Sequence, residues 1–210
     1  MIEYKKDIID LINKSDKEIY LDMMNKDISS HKLSNEIKLD IIEKSINEAQ
    51  NFYDDLIKEY GLKDVLSYII DLNIPLYYVK EKGDKYYSYV GLFKEKTKTI
   101  IVNLETINYI KKVGKLLELS ELVDLKIIRK VVISHELFHY FELKNPNAYT
   151  NKKIIDTKVF GLFKTKSNLM IAGEIAAVHF SKILTNLKHT PLVYNMIFKI
   201  GKKMNINGNS

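Results

Sequence analysis

Two histidines and a glutamate interrupt a stretch rich in apolar residues. His135-Glu136-Leu137-Phe138-His139 follows Leu125 to Ile133 and precedes Tyr140, Phe141 and Leu143. Polar side chains of this kind are costly to bury without partners. A helix reconciles them. Turning once per about 3.6 residues, it sets His135 and His139 one above the other, about 40° apart in projection. Both imidazoles then reach one metal ion. Glu136 stands about 100° from His135, beside the ion rather than on the histidine stripe, where it can take a proton from an attacking water. The His-Glu-x-x-His pattern predicts a buried helix, a zinc ion held by His135 and His139, and Glu136 as the catalytic base of a peptidase.

Two histidines leave such a site one protein ligand short. The chain has no cysteine, so the third ligand is a histidine or a carboxylate. Glu174 is the first candidate. It lies in Gly173-Glu174-Ile175-Ala176-Ala177-Val178-His179-Phe180, a predicted helix in which an isolated carboxylate is hard to place on a surface. Ala176 and Ala177 let two helices approach closely. His179 is a rival, but five residues from Glu174 it stands about 140° around the helix. Asp156 is a weaker rival. Glu142 shares the histidine stripe and reads either as a partner behind the histidine ligands or, preferably, as an ordinary helix carboxylate. His31 and His189 read as surface or capping residues. Tyr140, Tyr149 and His179 are candidate donors to the oxyanion of a peptidase reaction.

Around this site the patterning predicts an α+β fold. Residues 1–72 read as helical, with apolar residues at helical spacing from Ile8 to Ile12 and from Ile37 to Ile57 and breaks at Ser29-Ser30-His31, Ser34-Asn35 and Gly61. A small three-stranded antiparallel sheet follows, with strands at 74–79, 86–93 and 99–103 and polar turns between them. An edge of that sheet, Tyr86 to Val90, offers backbone groups to an extended peptide. A short helix from Leu104 ends at Gly114. Ser120 caps the helix bearing the histidines, which stops before Asn145-Pro146. Residues 144–168 read as a polar, irregular connection. Helices from Leu169 to Leu187 and from Pro191 to about Met204 complete the chain. The expected organisation is a helical region over 1–72 packed on a catalytic core over 73–204, with a frayed tail at 205–210.

Composition narrows the partners. The net charge is +6 and nearly all of it is lysine, Arg129 being the sole arginine. Duplex readers rely on arginine for guanine, so specific nucleic-acid binding is not expected. No apolar run approaches the roughly 20 residues of a membrane span. The first ten residues lack the apolar segment of a secretory signal, and the absence of cysteine fits a cytoplasmic protein. The expected partner is a protein or peptide substrate.

The order of elements resembles the ImmA/IrrE family of metallopeptidases: a small sheet, a helix with His-Glu-x-x-His, then a helix with a Glu-x-x-Ala-x-x-Phe-Ala-like motif. Here these are His135 to His139 and Glu174 to Ser181, and the likeness covers about residues 70–190. Phe138 stands where that pattern often has glycine, and Val178 where it often has asparagine. The resemblance implies Glu174 as third ligand, Glu136 as base, and a regulatory role in which a transcriptional repressor is cleaved. A second resemblance is to the secreted lethal-factor-like gluzincins, which also carry a third-ligand glutamate downstream. The thermolysin-like Glu-x-x-x-Asp pattern is broken by Val178. A different class of function stays open beside these, a non-catalytic interaction protein stabilised by its metal. Glu136 distinguishes the two, since a purely structural site has no use for a carboxylate there.

Overall fold

Side chains that cap helices divide the N-terminal region more finely than its apolar spacing does. In the computed structural model, which describes residues 2–82, 89–152, 154–159 and 163–206 (without side chains for 152–168), helix α1 (Ile2–Asn13) ends just before Ser15. Ser15 and Glu18 form a reciprocal capping box that opens α2 (Asp16–Lys26). Ser34 caps α3 (Asn35–Tyr60), and Gly61, at φ 73°, closes it with its N–H on the Ile57 carbonyl. Asp64 caps α4 (Val65–Asp71).

The sheet contains β1 (Leu76–Val79), β2 (Gly91–Lys94) and β3 (Thr99–Asn103) in the order β1-β3-β2. It is mixed rather than antiparallel, because β1 runs parallel to β3 while β2 runs antiparallel to it. The reason is burial. All five residues of β3 are buried, whereas Tyr77 and Tyr78 of β1 are exposed. The most apolar strand takes the centre and β1 takes an edge. The second strand is also shorter than expected. It begins at Gly91, Val90 precedes it with its carbonyl on the Asn103 N–H, and Tyr86 to Ser88 lie outside the described residues.

Helix α5 (Leu104–Leu116) passes through Gly114 instead of stopping there. A Cβ at that position would collide with Val123, so the glycine serves close packing inside the element. Ser120 opens only a single 3₁₀ turn, Ser120–Leu122. The cap of α6 (Leu125–Lys144) is Asp124, whose carboxylate accepts the N–H groups of Lys126 and Ile127 at 2.7 and 3.0 Å. Among the described residues, 144–168 are more regular than expected. They hold a one-turn helix α7 (Tyr149–Lys152) and an antiparallel hairpin of β4 (Ile154–Val159) and β5 (Phe163–Asn168). Ile154, Ile155, Thr157, Val159, Phe163 and Thr165 supply the β-branched and aromatic content, which the intervening lysines hide. Helices α8 (Met170–Leu184) and α9 (Leu192–Lys203) follow.

Helix α8 is apolar on two sides. Ala176, Ala177 and Phe180 join the main core with Ile133, Phe138 and Ile100. Ala172, Ile175 and Val178 join a second cluster with Ile19, Tyr20, Ile41 and Ile42. A helix apolar nearly all round is a buried one. Ala49 and Leu56 of α3 and Tyr68 of α4 belong to the same core as α6, so α3 and α4 pack directly on the histidine-bearing element. Phe138 fills the space between Phe52 and Phe180, with ring centroids 5.4 and 5.9 Å away. No helix among the described residues is long and apolar enough to cross a membrane.

Candidate metal centre

The periodicity of α6 separates its side chains by chemistry. Ile128, Val131, Leu137 and Phe138 face the core, while His135 and His139 stack along another stripe, their ring centroids 5.1 Å apart. Glu174 of α8 meets them there. Its carboxylate oxygens lie 3.5 Å from His135 Nε2 and 3.7 Å from His139 Nε2. One ligand atom from each of the three residues falls within 4.8 Å of the other two, so the cluster could hold a metal ion. The Glu174 side chain is 48% exposed and the two histidines 24% and 22%. The cluster therefore opens to solvent on the Glu174 side.

Glu136 has a different setting. Only 8% of it is exposed, and β2 passes directly over it. A Cβ added at Gly91 would lie 2.6 Å from Glu136 Oε1 and 2.5 Å from a Val132 methyl. Glycine in a strand interior often marks such a close backbone approach. Burial raises the Glu136 carboxyl above the usual carboxylate range, against the pull of His135, His139 and the Phe93 backbone N–H. For Glu174 burial also acts upward, yet the hydrogen bond from His135 and the two imidazole charges prevail and hold its pKa at about 2. Two carboxylates beside the same pair of histidines are thus pushed apart in acidity.

Glu142 does more than the sequence suggests. It is not an ordinary helix carboxylate, because its Oε2 lies 3.1 Å from His139 Nδ1 and its side chain is only 17% exposed. Burial lowers the His139 pKa, but Glu142, Glu174 and Glu136 together hold it above the ordinary histidine value. Gly91 and Gly173 are site residues that sequence reasoning missed, and Glu142 is one for which it preferred the wrong alternative. The position of Glu142 on the histidine stripe was a visible signal, and the glycines in strand and helix were weaker ones.

The remaining candidates lie elsewhere. His179 faces α2, where its Nδ1 is 3.1 Å from the Tyr20 hydroxyl and 3.9 Å from Asp16. Tyr140 is buried against Phe93 and Phe141. Tyr149 sits in α7 with the Lys44 ammonium over its ring. Asp156 falls in β4 opposite Lys166, and its side chain lies outside the described ones. His31 is an exposed loop residue with Nδ1 2.8 Å from the Ile28 carbonyl. His189 is half-buried, edge-on to Tyr194, and so is not a surface residue. Compared with known proteins, the chain matches no family model, no curated protein and no solved structure.

Proposed function

We propose that the protein is a zinc-dependent endopeptidase acting on a protein or peptide substrate. The carrying observation is the pairing of a three-ligand His135–His139–Glu174 cluster with a buried fourth residue, Glu136, that lies beside it. The donor set suits zinc, which takes imidazole nitrogen and carboxylate oxygen at about 2.0–2.2 Å in tetrahedral sites. Ligand atoms at that radius are spaced by about 3.4 Å; here Glu174 Oε2 lies 3.5 Å from His135 Nε2, Oε1 lies 3.7 Å from His139 Nε2, and one ligand atom of each residue falls within 4.8 Å of the others. Three protein ligands leave one position open, the pattern of a catalytic rather than a structural site. A bound zinc ion would supply Lewis acidity to the attacking water and to the scissile carbonyl.

The chain's own residues do the rest. Glu136 accepts a proton at its carboxylate from the attacking water and delivers it to the departing amine nitrogen. Burial raises its affinity for protons above that of an exposed glutamate. Gly91 leaves room for the carboxylate beside β2, and the Phe93 backbone N–H donates to it. β2 is a sheet edge that borders Glu136, and an extended substrate can add to such an edge by main-chain hydrogen bonds. The sequence resemblance to ImmA/IrrE metallopeptidases extends the proposal to a transcriptional repressor as substrate and to a cytoplasmic setting.

Glu136→Gln tests the reading. The variant should retain zinc, measured by metal analysis, and lose cleavage of a co-expressed candidate substrate by about 10²- to 10⁴-fold. Full activity in the variant rejects the mechanism. Zinc-loaded wild type without hydrolysis of any substrate favours a metal-stabilised interaction protein.

A further inference from the structure

We propose that Glu142 is a positioning residue for His139, and that it joins the two helices carrying the metal ligands. The inference rests on the metal reading of the cluster. An imidazole has two nitrogens, and the hydrogen bond made by one decides which lone pair the other presents. The carboxylate of Glu142 accepts the His139 Nδ1–H across 3.1 Å. This leaves Nε2 as the bare donor, and Nε2 is the atom that faces Glu174. A histidine ligand backed by a carboxylate is a stronger and better-oriented ligand than a free one.

The second carboxylate oxygen reaches the other helix. A Cβ built at Gly173 would stand 2.9 Å from Glu142 Oε1, so any side chain there would push the Glu142 carboxylate out of its place against α8. Gly173 immediately precedes Glu174. One carboxylate therefore contacts His139 on one side and packs against the backbone that presents Glu174 on the other. Asn151 fixes the base of the arrangement, its side-chain amide donating to the Glu142 carbonyl at 2.6 Å and to the Asn145 carbonyl at 3.0 Å. An ordinary i,i+3 surface pair would be solvated and free of the neighbouring helix.

The test measures zinc dissociation constants by competition with a chromophoric chelator for wild type, Glu142→Gln and Glu142→Ala, together with melting of the metal-free proteins. Glu142→Ala should weaken zinc by about 10- to 100-fold. Glu142→Gln keeps an oxygen that accepts the Nδ1–H and should recover much of that loss, with the metal-free melting temperatures of the two variants alike. Cobalt(II) in place of zinc should show an altered visible spectrum in the alanine variant alone. Equal affinity in all three proteins overturns the inference, as does an equal loss in both variants. Wild type that takes up no zinc overturns the metal reading itself and this inference with it.

Discussion

Helix α8 carries two polar side chains into different neighbourhoods, Glu174 toward α6 and His179 toward α2. Each puts imidazole and carboxylate together, yet the outcomes differ. Around His179 the groups are satisfied in pairs. Tyr20 bonds its Nδ1 at 3.1 Å, and the nearest carboxylate, Asp16, is held by Lys182 at 2.7 and 2.8 Å. Around Glu174 three ligand atoms converge on a common point. Paired groups stabilise a fold without inviting a ligand, whereas converging lone pairs leave a position that a cation can fill. Burial alone does not separate the two, because the His179 side chain, at 13% exposed, is the more enclosed.

Removing one member from each group is the harshest way to break this comparison. Glu174→Ala should abolish tight zinc uptake, and His179→Ala should keep it. With zinc at about 100 times its dissociation constant, wild type and His179→Ala gain about 2.7 kcal/mol of stability on metal addition. Glu174→Ala gains almost none, as read from melting with and without zinc. The reverse pattern would make His179 the ligand.

Gly91→Ala sharpens the comparison at the converging site. The new methyl overlaps Glu136 and Val132, so β2 or the carboxylate must move. Stability should fall by about 1–3 kcal/mol in denaturant unfolding. Hydrolysis should fall by about 10²-fold with zinc content unchanged, which would place the damage at Glu136 and not at the ligands.

The smallest expected effect belongs to the paired site. Burial depresses the His179 pKa below its ordinary value, Asp16 opposes this and Lys182 adds to it. A depressed histidine favours the neutral form in the fold. Its contribution is present above about pH 6.5 and is lost as pH falls through the lower folded value. His179→Gln should therefore narrow the drop in melting temperature of the metal-free protein between pH 7 and pH 5. An unchanged drop would assign acid sensitivity to other groups.

The convergence was legible in the sequence where one helix period governs it. His135 and His139 are one turn apart, and Glu174 is the first charge in an apolar helix. Glu142 sits on the same stripe, but its role depends on how near α8 comes at Gly173, a distance no spacing reveals. The strand order failed for the same reason, since β1 meets β3 across an intervening strand of sequence. The β4–β5 hairpin was hidden by chemistry. Lys158, Lys164 and Lys166 dilute its β-branched residues until the stretch reads as polar loop. The Ser15–Glu18 capping box is a local signal that apolar spacing alone does not show.

The two apolar sides of α8 also set the angular tolerance of the site. Most helices can roll a little, exchanging one solvent-facing side chain for another. This one has Ala176, Ala177 and Phe180 seated on one neighbour and Ala172, Ile175 and Val178 on another. Rolling it toward either side lifts apolar surface out of contact at about 25 cal/mol per Å². The azimuth of Glu174 is thus indexed by two opposed packing surfaces, and the N-terminal helices, distant in sequence, act as one of the two stops that aim it.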